Sequence, residues 1–197
     1  MSATTKKKGQ SVKSLEFDEK WKNPMKKPFL EKIVLNIGVG SGGEELEKAV
    51  TVLEQITGRT PVKTVSKVNV KEFNLRKGRP IGCKITIRGK EAERLLKRLL
   101  IVNNNKILRK SFDNYGNFAF GIDEHIKIPQ TEYEASLGLW GLDVCGRIAR
   151  PGMRVKYRRK ARSKIPKNHY VSRTEAHYFL EQNFGVGIVK RLELEYM

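Results

Sequence analysis

Between residues 31 and 39 the chain alternates: Ile33, Leu35 and Ile37 fall on one side of an extended segment, and Val34, Asn36 and Gly38 on the other. A period of two predicts a strand with one apolar face, and it turns Asn36 away from the core. After a glycine-rich turn the period changes. Leu46, Ala49, Val50, Leu53 and Ile56 recur at helical spacing, and Gly58 stops the helix. Pro61 opens a second extended segment to about residue 70, and residues 71–80, ending in Gly78 and Pro80, read as a long loop. Residues 81–88 are the clearest strand, with Ile81, Cys83, Ile85 and Ile87 on one face and Lys84, Thr86 and Arg88 on the other.

From residue 90 to about 108 an amphipathic helix is expected, Ala92, Leu95, Leu96, Leu99 and Leu100 on its apolar side and Arg94, Lys97 and Arg98 on another. It has the face needed to cover the apolar side of a sheet. Short extended pieces follow at 117–121, 125–128 and 141–148, the last broken by Pro151-Gly152. Ser172-Arg173-Thr174-Glu175 forms a capping box for a helix carrying Ala176, Phe179, Leu180 and Phe184 and closed by Gly185. Ile188, Leu192 and Leu194 allow a terminal strand. There is no internal repeat or low-complexity tract. Strands and helices do not alternate steadily, so the expected class is α+β: a mainly antiparallel sheet, helices on one face, and a polar, basic opposite face.

Charge changes the picture. The 197 residues carry 40 Lys plus Arg against 21 Asp plus Glu, a formal charge of +19 and a pI near 10.0. Eleven of the cations lie between Val144 and Thr174, where there is no Asp or Glu. Like charges at that density repel one another until a polyanion neutralises them, and phosphate contacts supply most nonspecific nucleic-acid affinity. Eight basic residues face only Glu72 between Lys63 and Arg88, and Lys6, Lys7, Lys8 and Lys13 precede the first acid. A hydrophobic content of 39% supports a core, and the expected organisation is a basic flexible arm over residues 1–22 before one RNA-binding domain over 23–197. The apolar runs are too short to span a bilayer, and the lysine-rich start lacks a signal segment, so the expected compartment is the cytoplasm, without a membrane partner.

The chemical motifs are thin. Cys83 and Cys145 form no C-x-x-C pair and are expected as buried apolar residues. His125, His169 and His177 lack metal-ligand spacing, and Asp113 and Asp123 show no paired-carboxylate pattern. No metal, cofactor or catalytic residue is expected. Gly38-Val39-Gly40-Ser41-Gly42-Gly43 fits G-x-G-x-x-G between a strand and a helix, which leaves a NADP-type dinucleotide-binding enzyme as the alternative, although residues 63–71 supply no acid for a ribose. Nucleic acid is better supported. The face bearing Asn36, Lys84, Thr86 and Arg88, the loop bearing Phe73, Arg76, Lys77 and Arg79, and the long basic stretch all point to it. Without a helix-turn-helix, zinc finger or basic zipper, folded RNA is favoured over DNA.

Several segments in order, Asn23-Pro24-Met25, residues 30–40, Thr57-Gly58-x-x-Pro61, and residues 73–89 from Phe73-x-Leu75-Arg76 to Ile87-Arg88-Gly89, resemble the ribosomal large-subunit protein five family, the 5S ribosomal RNA binders. The resemblance continues through Ser111-Phe112-Asp113, Glu124-His125-Ile126 and Gly141-Leu142-Asp143-Val144, and the tail, with Arg150-Pro151-Gly152 and Lys164-Ile165-Pro166, resembles the archaeal type. It implies a structural constituent of the large ribosomal subunit that helps attach 5S ribosomal RNA in the central protuberance. The implied partners are 5S RNA, large-subunit ribosomal RNA, peptidyl-site tRNA and a small-subunit protein across an inter-subunit bridge. The resemblance carries over Asn36 and Thr86 on the sheet face and Phe73 and Arg76 in the long loop as RNA-binding residues; charge and strand position add Arg59, Lys63, Lys84 and Arg88 as RNA-binding candidates, and Lys71, Asn74, Lys77 and Arg79 are the tRNA-proximal loop candidates. Arg59 departs from the glutamine common in the bacterial pattern. Arg154, Lys156, Arg158, Arg159, Lys160, Arg162 and Lys164 are the phosphate-contact candidates.

Overall fold

The structure, a computed structural model, describes residues 16–40, 42–73, 75–131 and 134–190. Seven strands are β1 (Phe29–Gly38), β2 (Val62–Val65), β3 (Pro80–Ile87), β4 (Lys106–Leu108), β5 (Asn117–Ile122), β6 (Leu142–Ala149) and β7 (Gly187–Val189). The helices are α1, described over 16–21, α2 (Glu44–Thr57), α3 (Lys90–Val102), the single turn α4 (Arg154–Tyr157) and α5 (Arg173–Phe184). Five strands form one antiparallel sheet in the order β2-β3-β1-β6-β5, and β4 pairs with β7 in parallel. The class is α+β.

The alternation in β1 and β3 does what its period demands. Ile33, Leu35, Ile37, Cys83, Ile85 and Ile87 are buried on one face, where Leu46, Leu53 and Ile56 of α2 and Leu96, Leu99 and Leu100 of α3 join the same core. Helix α3 is shorter than its periodicity suggested. Asn104 and Asn105 take left-handed φ angles of 51° and 54°, a conformation Asn tolerates better than most residues, and Ile107 is then buried in β4 instead of extending the helix. The expected strand 125–128 is a 3-10 turn over His125–Lys127, and the second extended segment ends as β2 at Val65. Leu192 and Leu194 lie outside the described residues.

Two side chains fix the far end of the sheet. A Cβ on Gly146 would stand 2.1 Å from Cζ of Phe118, its register partner in β5, and that ring is 2% exposed with Phe112 packed 5.9 Å away, centroid to centroid. Gly146→Ala is therefore expected to lower stability by about 1–3 kcal/mol through overpacking; an unchanged urea midpoint would show that the ring relocates freely.

The capping box is half formed. Ser172 Oγ accepts from the Glu175 amide at 3.3 Å, but the Glu175 carboxylate turns inward, 1% exposed, to an ion pair with Arg150, itself 2% exposed. Trp21 Nε1 also donates to Glu175 at 3.0 Å. Residues 16–21, expected within a basic arm, are thus helical, and Trp21 packs against Tyr178 with centroids 5.2 Å apart. The first fifteen residues, with Lys6, Lys7, Lys8 and Lys13, lie outside the described part.

Candidate nucleic-acid interface

The face of the sheet opposite α2 and α3 is built in cross-strand rows. Lys84, Asn36 and Asp143 are register partners in the first row; Thr86, Val34, Cys145 and Ala119 form the second; Lys32, Arg147 and Asn117 form the third. A bulge in β1 between Leu30 and Lys32 lets Glu31 meet Arg147 at 2.9 Å and Arg88 at 3.7 Å. Thr86, Lys84, Ala119, Gly121 and Cys145 are exposed, Asn36 is half-buried, and its amide Nδ2 lies 3.5 Å from Asp143 Oδ2. Small side chains at its centre leave a hollow of about 340 Å³ bordered by Lys32, Asn117 and Arg147, and Asp143 and Glu31 interrupt the positive charge of the face.

Cys145 corrects an expectation. Strand alternation carries it to the open face, opposite Val34 and Ala119, while Cys83 is buried in the core. Although the residue reaches solvent, crowding around the sulfur pushes the thiol pKa up and the neighbouring Asp143 carboxylate adds to the rise, so the thiol stays protonated and is a poor nucleophile.

Arg59 and Lys63 are not on this face. Lys63 is the partner of Cys83 and therefore lies on the helix side, paired with Glu47 of α2; Arg59, after α2, pairs with Glu91 of α3. Arg88 remains at the margin of the open face through Glu31. The loop between β2 and β3 is an ordered finger: the Ser66 amide donates to Arg79 O at 2.9 Å, the Lys77 amide to Asn69 Oδ1 at 2.7 Å, and Val70 pairs with Leu75. Near its tip Phe73 is 71% exposed. Lys71, Arg76, Lys77 and Arg79 are exposed along it, and Asn74 lies outside the described residues.

The basic stretch is held at both ends. Arg150, the one cation of the stretch that is fully buried, donates from Nη1 to the carbonyls of Asn168 at 3.2 Å and His169 at 3.4 Å while pairing with Glu175. The His169 ring contacts Pro151 O at 2.7 Å. Between these anchors α4 is followed by a turn in which Arg158 Nε donates to Ala161 O at 2.8 Å. Arg154, Arg158, Arg159, Lys160, Arg162 and Lys164 are exposed, whereas Lys156 is half-buried with its ammonium 3.2 Å from the Tyr170 hydroxyl.

Among the described residues no catalytic arrangement accompanies these cations. His125 is 1% exposed and burial lowers its pKa; His177 falls to about 4 through burial, with Arg109 and Arg173 adding repulsion. Both imidazoles are neutral near pH 7. The glycine-rich turn fails as a dinucleotide cradle: β3 lies between β1 and β2 and is antiparallel to both. Helix α2 also opens with Glu44, Glu45 and Glu47, placing carboxylates where a pyrophosphate would sit. Gly42 packs closely under β3, where a Cβ would come 3.1 Å from Pro80 O.

The match to known proteins follows this architecture. Residues 23–76 match the family described as Ribosomal protein L5, and residues 80–181 match the description of the same ribosomal family's C-terminus. The chain belongs to the ribosomal protein L5 family. It is 50% identical to the large ribosomal subunit protein uL5 of Sulfurisphaera tokodaii over 169 residues, which are 85% of this chain and 96% of that protein. To the uL5 of Pyrobaculum aerophilum it is 44% identical over 84% of this chain and 93% of that protein, and to the uL5 of Methanococcus vannielii 41% identical over 89% and 99%. As an L5 family protein of archaeal type it is a structural, non-enzymatic constituent of the large ribosomal subunit, in the cytoplasm with the ribosome. Among the described residues no helix is long and apolar enough to cross a membrane.

The sequence reading did not single out Lys32, Tyr115, Asn117 or Tyr170 on this surface, and it counted Arg147 and Lys167 only among the eleven cations of the basic stretch. Lys32 and Arg147 had a readable signal, since each neighbours a buried strand residue, Ile33 and Ile148. Tyr115 and Tyr170 are brought together only by the fold, their rings edge to face at 5.4 Å.

Proposed function

We propose that this L5 family protein binds 5S ribosomal RNA through the open sheet face and helps attach it in the central protuberance of the large subunit, with the anchored basic stretch gripping neighbouring ribosomal RNA phosphates. The observation that carries the reading is the row Lys84-Asn36-Asp143 with Thr86 beside it, a shallow hydrogen-bonding surface laid across the three paired strands β3, β1 and β6. Small side chains let an RNA backbone approach closely, and strand pairing positions the donors before binding. The finger carrying Phe73, Arg76 and Lys77 extends from the other edge of the sheet and is the element we assign to peptidyl-site tRNA and the inter-subunit bridge. Its exposed ring offers stacking and its cations meet phosphate.

Gel-shift binding to 5S RNA, with tRNA and a random RNA of equal length as competitors at low and high salt, tests the reading. Selective binding that survives high salt supports it; equal competition by all three RNAs reduces the protein to a polycation. Thr86→Ala is expected to weaken 5S RNA binding by about 1–3 kcal/mol, because a buried RNA partner is left unpaired. Asn36→Ala is expected to cost more than Thr86→Ala, since it also frees the Asp143 carboxylate to face phosphate. Identical affinities for both variants and the wild type would move the interface off this face.

A further inference from the structure

Beside the third row of the open face lies a cleft of about 830 Å³, within the roughly 300–1,000 Å³ range of ligand sites. One wall is Asn117 and Arg147 on β5 and β6. The other is the returning basic stretch, with Lys156, Arg162, Lys164 and Lys167. Among the described residues no carboxylate lines it. Tyrosines orient the cations instead: Arg147 Nη1 donates to the Tyr157 hydroxyl at 3.0 Å, and Lys156 donates to the Tyr170 hydroxyl while lying 5.6 Å from that ring's centroid. A phenol holds a cation in place without neutralising it, so the positive charge stays available to an incoming anion. Arg147 is the exception, its Nε being shared with Glu31. Tyr115, 51% exposed, lines the cleft with its ring steeply inclined to that of Tyr170, at 72°.

Cations about an open aromatic ring suit a phosphate attached to a flat base. A base inside a duplex presents only its edge, whereas an unpaired one can lie on a ring. We propose that the cleft receives an unpaired RNA nucleotide, its base on Tyr115 and its flanking phosphates on Lys156 and on the rim formed by Arg162, Lys164 and Lys167. The proposal rests on the RNA-binding reading above and adds to it a preference for a single-stranded nucleotide at one place.

The test uses the full chain with a short single-stranded RNA carrying a fluorescent adenine analogue at its centre, and a hairpin whose stem holds the same sequence fully paired. Binding of the single strand is expected to quench the analogue. Tyr115→Ala is expected to lower single-strand affinity about tenfold, with hairpin affinity and both salt slopes unchanged, while Tyr115→Phe retains the wild-type behaviour. Arg162→Ser with Lys164→Ser leaves the tyrosines in place and serves if Tyr115→Ala is poorly folded. It is expected to weaken the single strand more than the hairpin. Wild-type affinity in Tyr115→Ala, or equal losses for both RNAs in the rim variant, overturns the cleft assignment and leaves the RNA-binding reading intact. If the wild-type protein binds neither RNA, both readings fall. Equal binding of an acidic peptide with the same dependence on Tyr115 overturns the ligand class.

Discussion

Glu175→Ala is expected to destabilise the protein by about 3–5 kcal/mol, the range for removing one partner of a buried ion pair. The carboxylate is 1% exposed and Arg150 is 2% exposed, so the guanidinium cannot recover its charge partner from water after the substitution. Trp21 would lose its acceptor as well. The consequences extend beyond stability, because Arg150 also holds the carbonyls of Asn168 and its neighbour His169, where the basic stretch rejoins the core. Urea unfolding should show a large fall in midpoint, and limited proteolysis should cut between Arg158 and Lys164 sooner than in the wild type. An unfolding free energy within about 0.5 kcal/mol of wild type, the spread of ordinary surface substitutions, would mean that the pair is solvated.

The second large effect is on binding. Replacing Arg159, Lys160, Arg162 and Lys164 together by serine is expected to lower the slope of log affinity against log salt by roughly three units, and to weaken RNA binding on the order of a thousandfold at ~0.1 M salt, if all four meet phosphate. All four are exposed, so the fold should persist, and removing like charges relieves self-repulsion. Filter binding at several salt concentrations reads the slope directly. An unchanged slope would place the stretch away from RNA and return the electrostatic role to the finger and the sheet.

These expectations differ in how far they could be read from the chain. The faces of β1 and β3 and the helices α2 and α5 were legible because a local period decides which side is apolar, and Asn36, Lys84 and Thr86 came with them. The ion pairs of Arg59 and Lys63 were not legible, because their partners, Glu91 and Glu47, lie 32 and 16 residues away in sequence and meet them only through packing. Glu175 reads as a capping residue from its neighbours alone, yet the inward pull of Arg150, 25 residues earlier, takes its side chain. Cys145 was placed in the core on residue type, although its strand parity puts it outside.

By itself the sequence determined the class of partner and the elements that could meet it: a charge of +19 with eleven cations in one acid-free stretch demands a polyanion whatever the fold, and alternation selects the strand faces. Only the tertiary structure decided which cations act together. The Arg150–Glu175 pair folds the stretch back toward Arg147, Tyr115 and Tyr170, and β3 separates β1 from β2 so that the glycine turn holds no pyrophosphate. Periodicity is a property of neighbours a few residues apart, whereas a cleft joins side chains whose proximity is set by strand order and by buried long-range contacts.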